Sequence, residues 1–134
     1  MTEHTALIYI MVVMAAADSD MTDNEIMTIG HIIRSLPIFR DYDEDQLPKA
    51  AEACAEILSE DGGLDTIVGL AREALPEGSL RETAYVLACD VAAADGKVSQ
   101  EEIRLLEILR HGLSVGRLPA AAIERAARAR FATG

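Results

Sequence analysis

Residues 84–113 read AYVLACDVAAADGKVSQEEIRLLEILRHGL, and residues 7–36 read LIYIMVVMAAADSDMTDNEIMTIGHIIRSL. Set over each other at an offset of 77, they share Ala15/Ala92, Ala16/Ala93, Ala17/Ala94, Asp18/Asp95, Glu25/Glu102, Ile26/Ile103 and Leu36/Leu113. Met21/Val98, Thr22/Ser99, Ile29/Leu106 and Ile32/Leu109 are conservative pairs. Most of the identities cluster around one loop. A Leu-Pro pair followed by Ala-rich sequence recurs as well, at Leu47-Pro48 and Leu118-Pro119. The unit is helix, tight loop, helix, connector, helix, used twice. The first copy covers about 4–60 and the second about 79–131.

Working outward, the helix signals agree. Thr22-x-x-Glu25, Ser79-x-x-Glu82 and Ser99-x-x-Glu102 each have the form of a capping box, in which a hydroxyl and a carboxylate satisfy each other's free backbone N–H groups. Ile26, Ile29 and Ile33 recur at helical spacing, as do Leu105, Leu106 and Leu109. Pro48 and Pro119 suit early helical turns, where a missing N–H costs little. Asp61-Gly62-Gly63 and Pro76-Glu77-Gly78 are breaks. The pattern predicts helices over about 4–17, 22–35, 47–60, 64–75, 79–94, 99–112 and 119–131, with no sustained β alternation. The expected fold is all-α, about seven helices in one compact domain spanning 1–134.

Length and composition bound the rest. The 134 residues fit a single domain, and 50% hydrophobic content supports a core without disulfide staples. The 22 alanines favour helix and close helix approach. Aromatics are 4% with no Trp, and net charge is −11, which opposes nucleic acid and anionic membranes as partners. Charge is split: residues 1–102 hold 21 acids and 6 bases, residues 103–134 hold 6 bases and 2 acids. The apolar run Ala6–Ala17 is too short to span a bilayer and has Glu3, not Lys or Arg, before it. Its match to the second copy gives it a structural role, so a buried helix and a cytoplasmic protein are expected.

Each repeated loop places an Asp, Asp18 or Asp95, just after a helix, where the macrodipole disfavours a negative charge by roughly 0.3–1 kcal/mol. Such an Asp either accepts hydrogen bonds from the start of the next helix or ligates a divalent cation. Asp20, Asp23, Asp90 and Glu101 lie near in sequence, and Ca²⁺ and Mg²⁺ prefer oxygen ligands. Residues 95–102 match the second half of an EF-hand loop, but Val91 and Ala93 occupy the first and third ligand positions. Asp41, Asp43, Asp45 and Glu52 have EF-hand spacing, with Gln46 where Gly is required, so a solvated acidic connector is expected. His4, His31 and His111 are isolated in sequence and show no zinc spacing with Cys54 or Cys89. No phosphate loop or Glu-x-x-His pair is present, so no catalytic machinery is expected.

AAADGKVSQEE, within LACDVAAADGKVSQEEIRLLEIL, resembles the signature of the tellurite-resistance protein B (TerB) family, and AAADSDMTDNEI resembles a degenerate first copy. The likeness implies an all-α fold of about seven helices with an internal pseudo-twofold. It implies a non-enzymatic role in tellurite resistance and stress response. Divalent metal would bind through acidic residues, and membrane-associated Ter proteins would be partners. By motif, Asp95 and Glu102 are the signature acids, with Asp18 and Glu25 as their counterparts and Asp20 and Asp90 beside them. The first copy departs from the pattern, with Ser19 in place of Gly. The DjlA-type co-chaperone N-terminal domain shares the signature, which implies as the alternative a helical protein-interaction module with no metal role.

Overall fold

The computed structural model describes residues 1–17, 23–94 and 98–133, and the regular structure among them is all helical. The helices are α1 (Glu3–Ala15), α2 (Asp23–Arg34), α3 (Leu47–Leu58), α4 (Gly63–Ala74), α5 (Ser79–Ala93), α6 (Gln100–Gly112) and α7 (Arg117–Arg130). Two 3-10 turns, Pro37–Phe39 and Glu44–Gln46, lie between α2 and α3. All seven expected helices are present.

The architecture follows from α1. Ala6 through Met14 are buried without a break. A helix apolar on every side has no face to offer water and must be surrounded. α1 accordingly packs on α2, α3, α4 and α5. Its start is fixed by Thr2, whose hydroxyl accepts from the Thr5 N–H at 3.1 Å. α5 is the second pillar: it buries Ala84, Tyr85, Leu87, Ala88, Val91 and Ala92, lies along α1, and carries α6 and α7. The remaining helices each bury one stripe, such as Ile29 and Ile33 of α2 or Ile67 and Ala71 of α4.

Close approaches set two of the joints. At Gly63, a Cβ would stand 2.0 Å from the Ile57 carbonyl oxygen, so only glycine lets α4 start against the end of α3. At Gly112 of α6, a Cβ would stand 2.3 Å from Cγ1 of Val68 on α4.

The capping expectations divide. Ser99 forms the full capping box: its hydroxyl accepts from the Glu102 N–H at 3.1 Å, and Glu102 Oε1 accepts from the Ser99 N–H at 3.0 Å. Thr22 lies outside the described residues. The box expected at Ser79 and Glu82 is not formed. Gly78 is the N-cap there, at φ 105°, and Ser79 is already the first helical residue. The turn closing on a glycine brings the chain into the helix one residue sooner, so the Ser79 hydroxyl is no longer placed to cap. α7 likewise begins at Arg117, leaving Pro119 inside its first turn.

Two tertiary links were not legible in the sequence. His4 is not isolated: Nε2 lies 2.6 Å from the Ile38 carbonyl oxygen, and the ring stacks on Phe39 at 5.2 Å and meets Tyr42 edge-on at 5.3 Å. This pins the 37–42 connector to the first turn of α1. Arg81 is buried in the α4–α5 corner, where Nε donates to Leu75 O at 3.1 Å and Nη2 to Arg72 O at 2.9 Å. It thereby satisfies carbonyls that the end of α4 leaves free.

Candidate functional site

Of the six candidate metal ligands, Asp18, Asp20 and Asp95 lie outside the described residues. Glu25 sits half-buried in the first turn of α2. Glu102 is buried in its capping box, with Oε1 committed to the Ser99 N–H. Asp90 on α5 is ion-paired with Arg130 of α7, a partner that sequence proximity does not reveal. Among the described residues, no group of three or more His, Cys, Asp or Glu side chains is placed to hold a metal ion. In the acidic connector, Asp43 Oδ1 accepts from the Asp45 N–H at 3.0 Å, and Glu44 pairs with Arg34 at 2.7 Å.

The residues on either side of positions 18–22 share one cleft with α6. Ala16 and Ala17 before these positions, Ile26 after them, and Leu105 of α6 line a cleft of about 920 Å³, together with Pro48 and Glu52 of α3. The end of α1 and the faces of α2, α3 and α6 thus meet at one place. The walls are mainly apolar, and Glu52 is the carboxylate among the described lining residues.

A second cleft, of about 560 Å³, lies between α5, α6 and α7. Tyr85 is 1% exposed at its base, and its hydroxyl donates to Glu124 Oε2 at 2.6 Å. Burial, reinforced by Glu124, raises the Tyr85 pKa from its ordinary value. Cys89 lies beside it, its thiol pushed up to about 12 by burial and by the carboxylates Glu124 and Asp90. Cys54 is likewise pushed up to about 12 by burial, and its thiol donates to Tyr9 O at 3.7 Å. A thiol held protonated is a small apolar filler and a poor nucleophile. The Tyr85–Glu124 pair is a feature the sequence did not disclose. The one available signal was that Glu124 is the sole acid on the otherwise basic α7.

These features define a class: an all-helical domain built around a buried first helix. Within that class, the chain belongs to the tellurite resistance protein TerB family, whose profile matches residues 4–127. That is a family of non-catalytic helical domains. No curated protein and no solved structure matches the chain. Among the described residues, no helix is long and apolar enough to cross a membrane.

Proposed function

We propose that this chain is a non-enzymatic, cytoplasmic protein of tellurite resistance and stress response that binds a divalent cation, Ca²⁺ or Mg²⁺, through its acidic loops and docks partner proteins. Membrane-associated Ter proteins are the partners the family implies. The observation that carries this reading is the family match over residues 4–127 together with the twice-used Ala-Ala-Ala-Asp loop. The two halves are read as copies of one ancestral unit. Asp18, Asp20 and Glu25 would serve the first loop, and Asp95, Glu102 and Asp90 the second. Glu102 already caps α6 through Oε1, and Asp90 could ligate only after yielding Arg130. The docking half is supported by the split in charge between residues 1–102 and 103–134.

Thermal denaturation with added Ca²⁺ or Mg²⁺ tests the cation. A ligand that binds only the native state stabilises it by RT ln(1 + [L]/Kd), about 2.7 kcal/mol at a hundredfold excess over Kd. Asp95→Asn should raise apo stability by a few tenths to about 1 kcal/mol and abolish the metal-induced gain. Asp18→Asn should have the smaller effect, since Gly96 permits a turn that Ser19 resists. A gain that survives Asp95→Asn but vanishes with Asp43→Asn would place the cation on the connector and defeat this assignment. Equal melting with and without metal would leave the docking module alone.

A further inference from the structure

We propose that the cleft between α5, α6 and α7 receives an acidic amphipathic helix of a partner protein. This rests on the docking half of the function proposed above and supplies the partner's chemistry.

The floor of the cleft includes Ala92, Ala93, Leu106 and Ala127. Three of these four are alanines, which leave a trough where longer side chains would fill it. Val98 and Ile103 line the same cleft and remain 44% and 43% exposed. Single exposed apolar residues are ordinary, but two flanking one apolar trough mark a surface that gains by being covered. A helix that lays apolar side chains at i, i+3 and i+4 into such a trough is a recurrent recognition mode.

Charge selects the partner. Residues 103–134 carry six bases and two acids. Glu124 is held by the Tyr85 hydroxyl, and Arg130 by Asp90. Arg110 spends Nη1 on Val115 O. Arg125 and Arg128 are exposed, lie three residues apart on α7, and form no ion pair among the described residues. Glu107 and Glu124 are the acids of the lining, against Arg110 and Arg128; the surplus of base lies on α7, where Arg117, Arg125, Arg128 and Arg130 outnumber the single acid Glu124. An acidic helix therefore finds attraction along α7 and repulsion from the rest of the chain, where 21 acids face 6 bases. Repulsion elsewhere fixes the position as much as attraction here does. The same balance disfavours an anionic membrane, which presents charge to the whole molecule. α7 also offers only Leu118 as an exposed large apolar residue, too little for interfacial insertion.

The test uses two fluorescein-labelled helical peptides with the same Leu/Ala face, one flanked by Glu and one by Lys. Anisotropy is read in EDTA, so a failed cation assignment does not touch the result. The Glu peptide should bind, weaken as salt is raised, and shift amide signals of α5, α6 and α7. The Lys peptide should bind at least about tenfold more weakly. The double variant Arg125→Glu/Arg128→Glu changes exposed side chains, so it should keep the parent melting temperature while reversing the peptide preference. Ile103→Asn should weaken the Glu peptide without reversing the preference. Equal binding of the two peptides, binding of neither, or an unchanged preference in the double variant would overturn the proposal. Amide shifts confined to α1–α3 would remove this site and leave the docking reading standing. Tighter binding to phosphatidylglycerol vesicles, lost in the same double variant, would make the face a membrane contact and defeat the proposal too.

Discussion

Replacing Gly63 with Ala should destabilise the protein, although the same substitution at Gly69 in the same helix should stabilise it. Alanine is the better helix former by about 1 kcal/mol in a helix interior such as Gly69, and by at most that at Gly63, the first residue of α4. At Gly69 a Cβ meets nothing within 4 Å, so that gain is realised. At Gly63 it meets Ile57 O at 2.0 Å, and Ile57 C and Leu58 Cα at 2.9 Å. These are backbone atoms, so no rotamer change relieves them and the α3–α4 corner must open. Opening it endangers the Gly63 N–H to Glu60 O bond of 3.0 Å, a loss of about 1 kcal/mol. Overpacking adds about 1–3 kcal/mol. The net cost is about 1–3 kcal/mol after the helix gain is deducted. With ~2.1 cal/mol/K per residue over 134 residues, 1 kcal/mol corresponds to roughly 3–4 °C. Gly63→Ala should therefore lower the melting temperature by about 4–11 °C, and Gly69→Ala should raise it by about 2–4 °C. Far-UV circular dichroism melts of both variants are the assay. A Gly63→Ala protein that melts at or above the parent temperature would refute the close approach of α3 and α4.

Three further outcomes are expected. Ser99→Ala removes the acceptor for the Glu102 N–H and should cost about 0.5–2 kcal/mol in urea denaturation; an unchanged midpoint would mean α6 starts elsewhere. Tyr85→Phe deletes the 2.6 Å bond to Glu124 and should cost about 1.5–3 kcal/mol, the range for hydrogen bonds to charged groups; chemical denaturation measures it, and a neutral result would mean Glu124 finds water instead. Cys54 and Cys89 ionise at about 12 when folded, against 9.0 unfolded. The unfolded chain thus sheds protons first, and stability present below pH 9 should fall as pH rises toward 12, by up to about 1.4 kcal/mol per unit for each thiol. Denaturation midpoints taken from pH 8 to pH 10 should drop less in a Cys54→Ala/Cys89→Ala variant, and an identical slope would contradict the buried thiols.

The helices were legible because each carries its own local signal. The run from Ala6 to Met14 announces a surrounded helix, and Ser99-x-x-Glu102 announces the start of α6. Local signals also misled in one place: Ser79-x-x-Glu82 has the form of a cap, but the glycine before it ends the turn first. Long-range pairings were not legible. His4 against Phe39, Tyr85 against Glu124, and Asp90 against Arg130 join residues more than thirty positions apart, and nothing in either partner's neighbourhood names the other. The same holds for the candidate ligands. Sequence grouped Asp90 with the acids of its loop, whereas the fold turns it toward the end of α7.

The position of α1 at the centre bears on how the chain is made. Its nine buried residues, Ala6 to Met14, are synthesised before α5, which lies along it and ends only at Ala93. At about 5–20 residues per second, roughly 4–16 seconds separate the appearance of α1 from that of its last major neighbour. Throughout that interval an apolar segment rich in Ile, Val and Met stands without its cover. Nascent chains of this protein should engage holdase chaperones early and release them only once α5 has emerged.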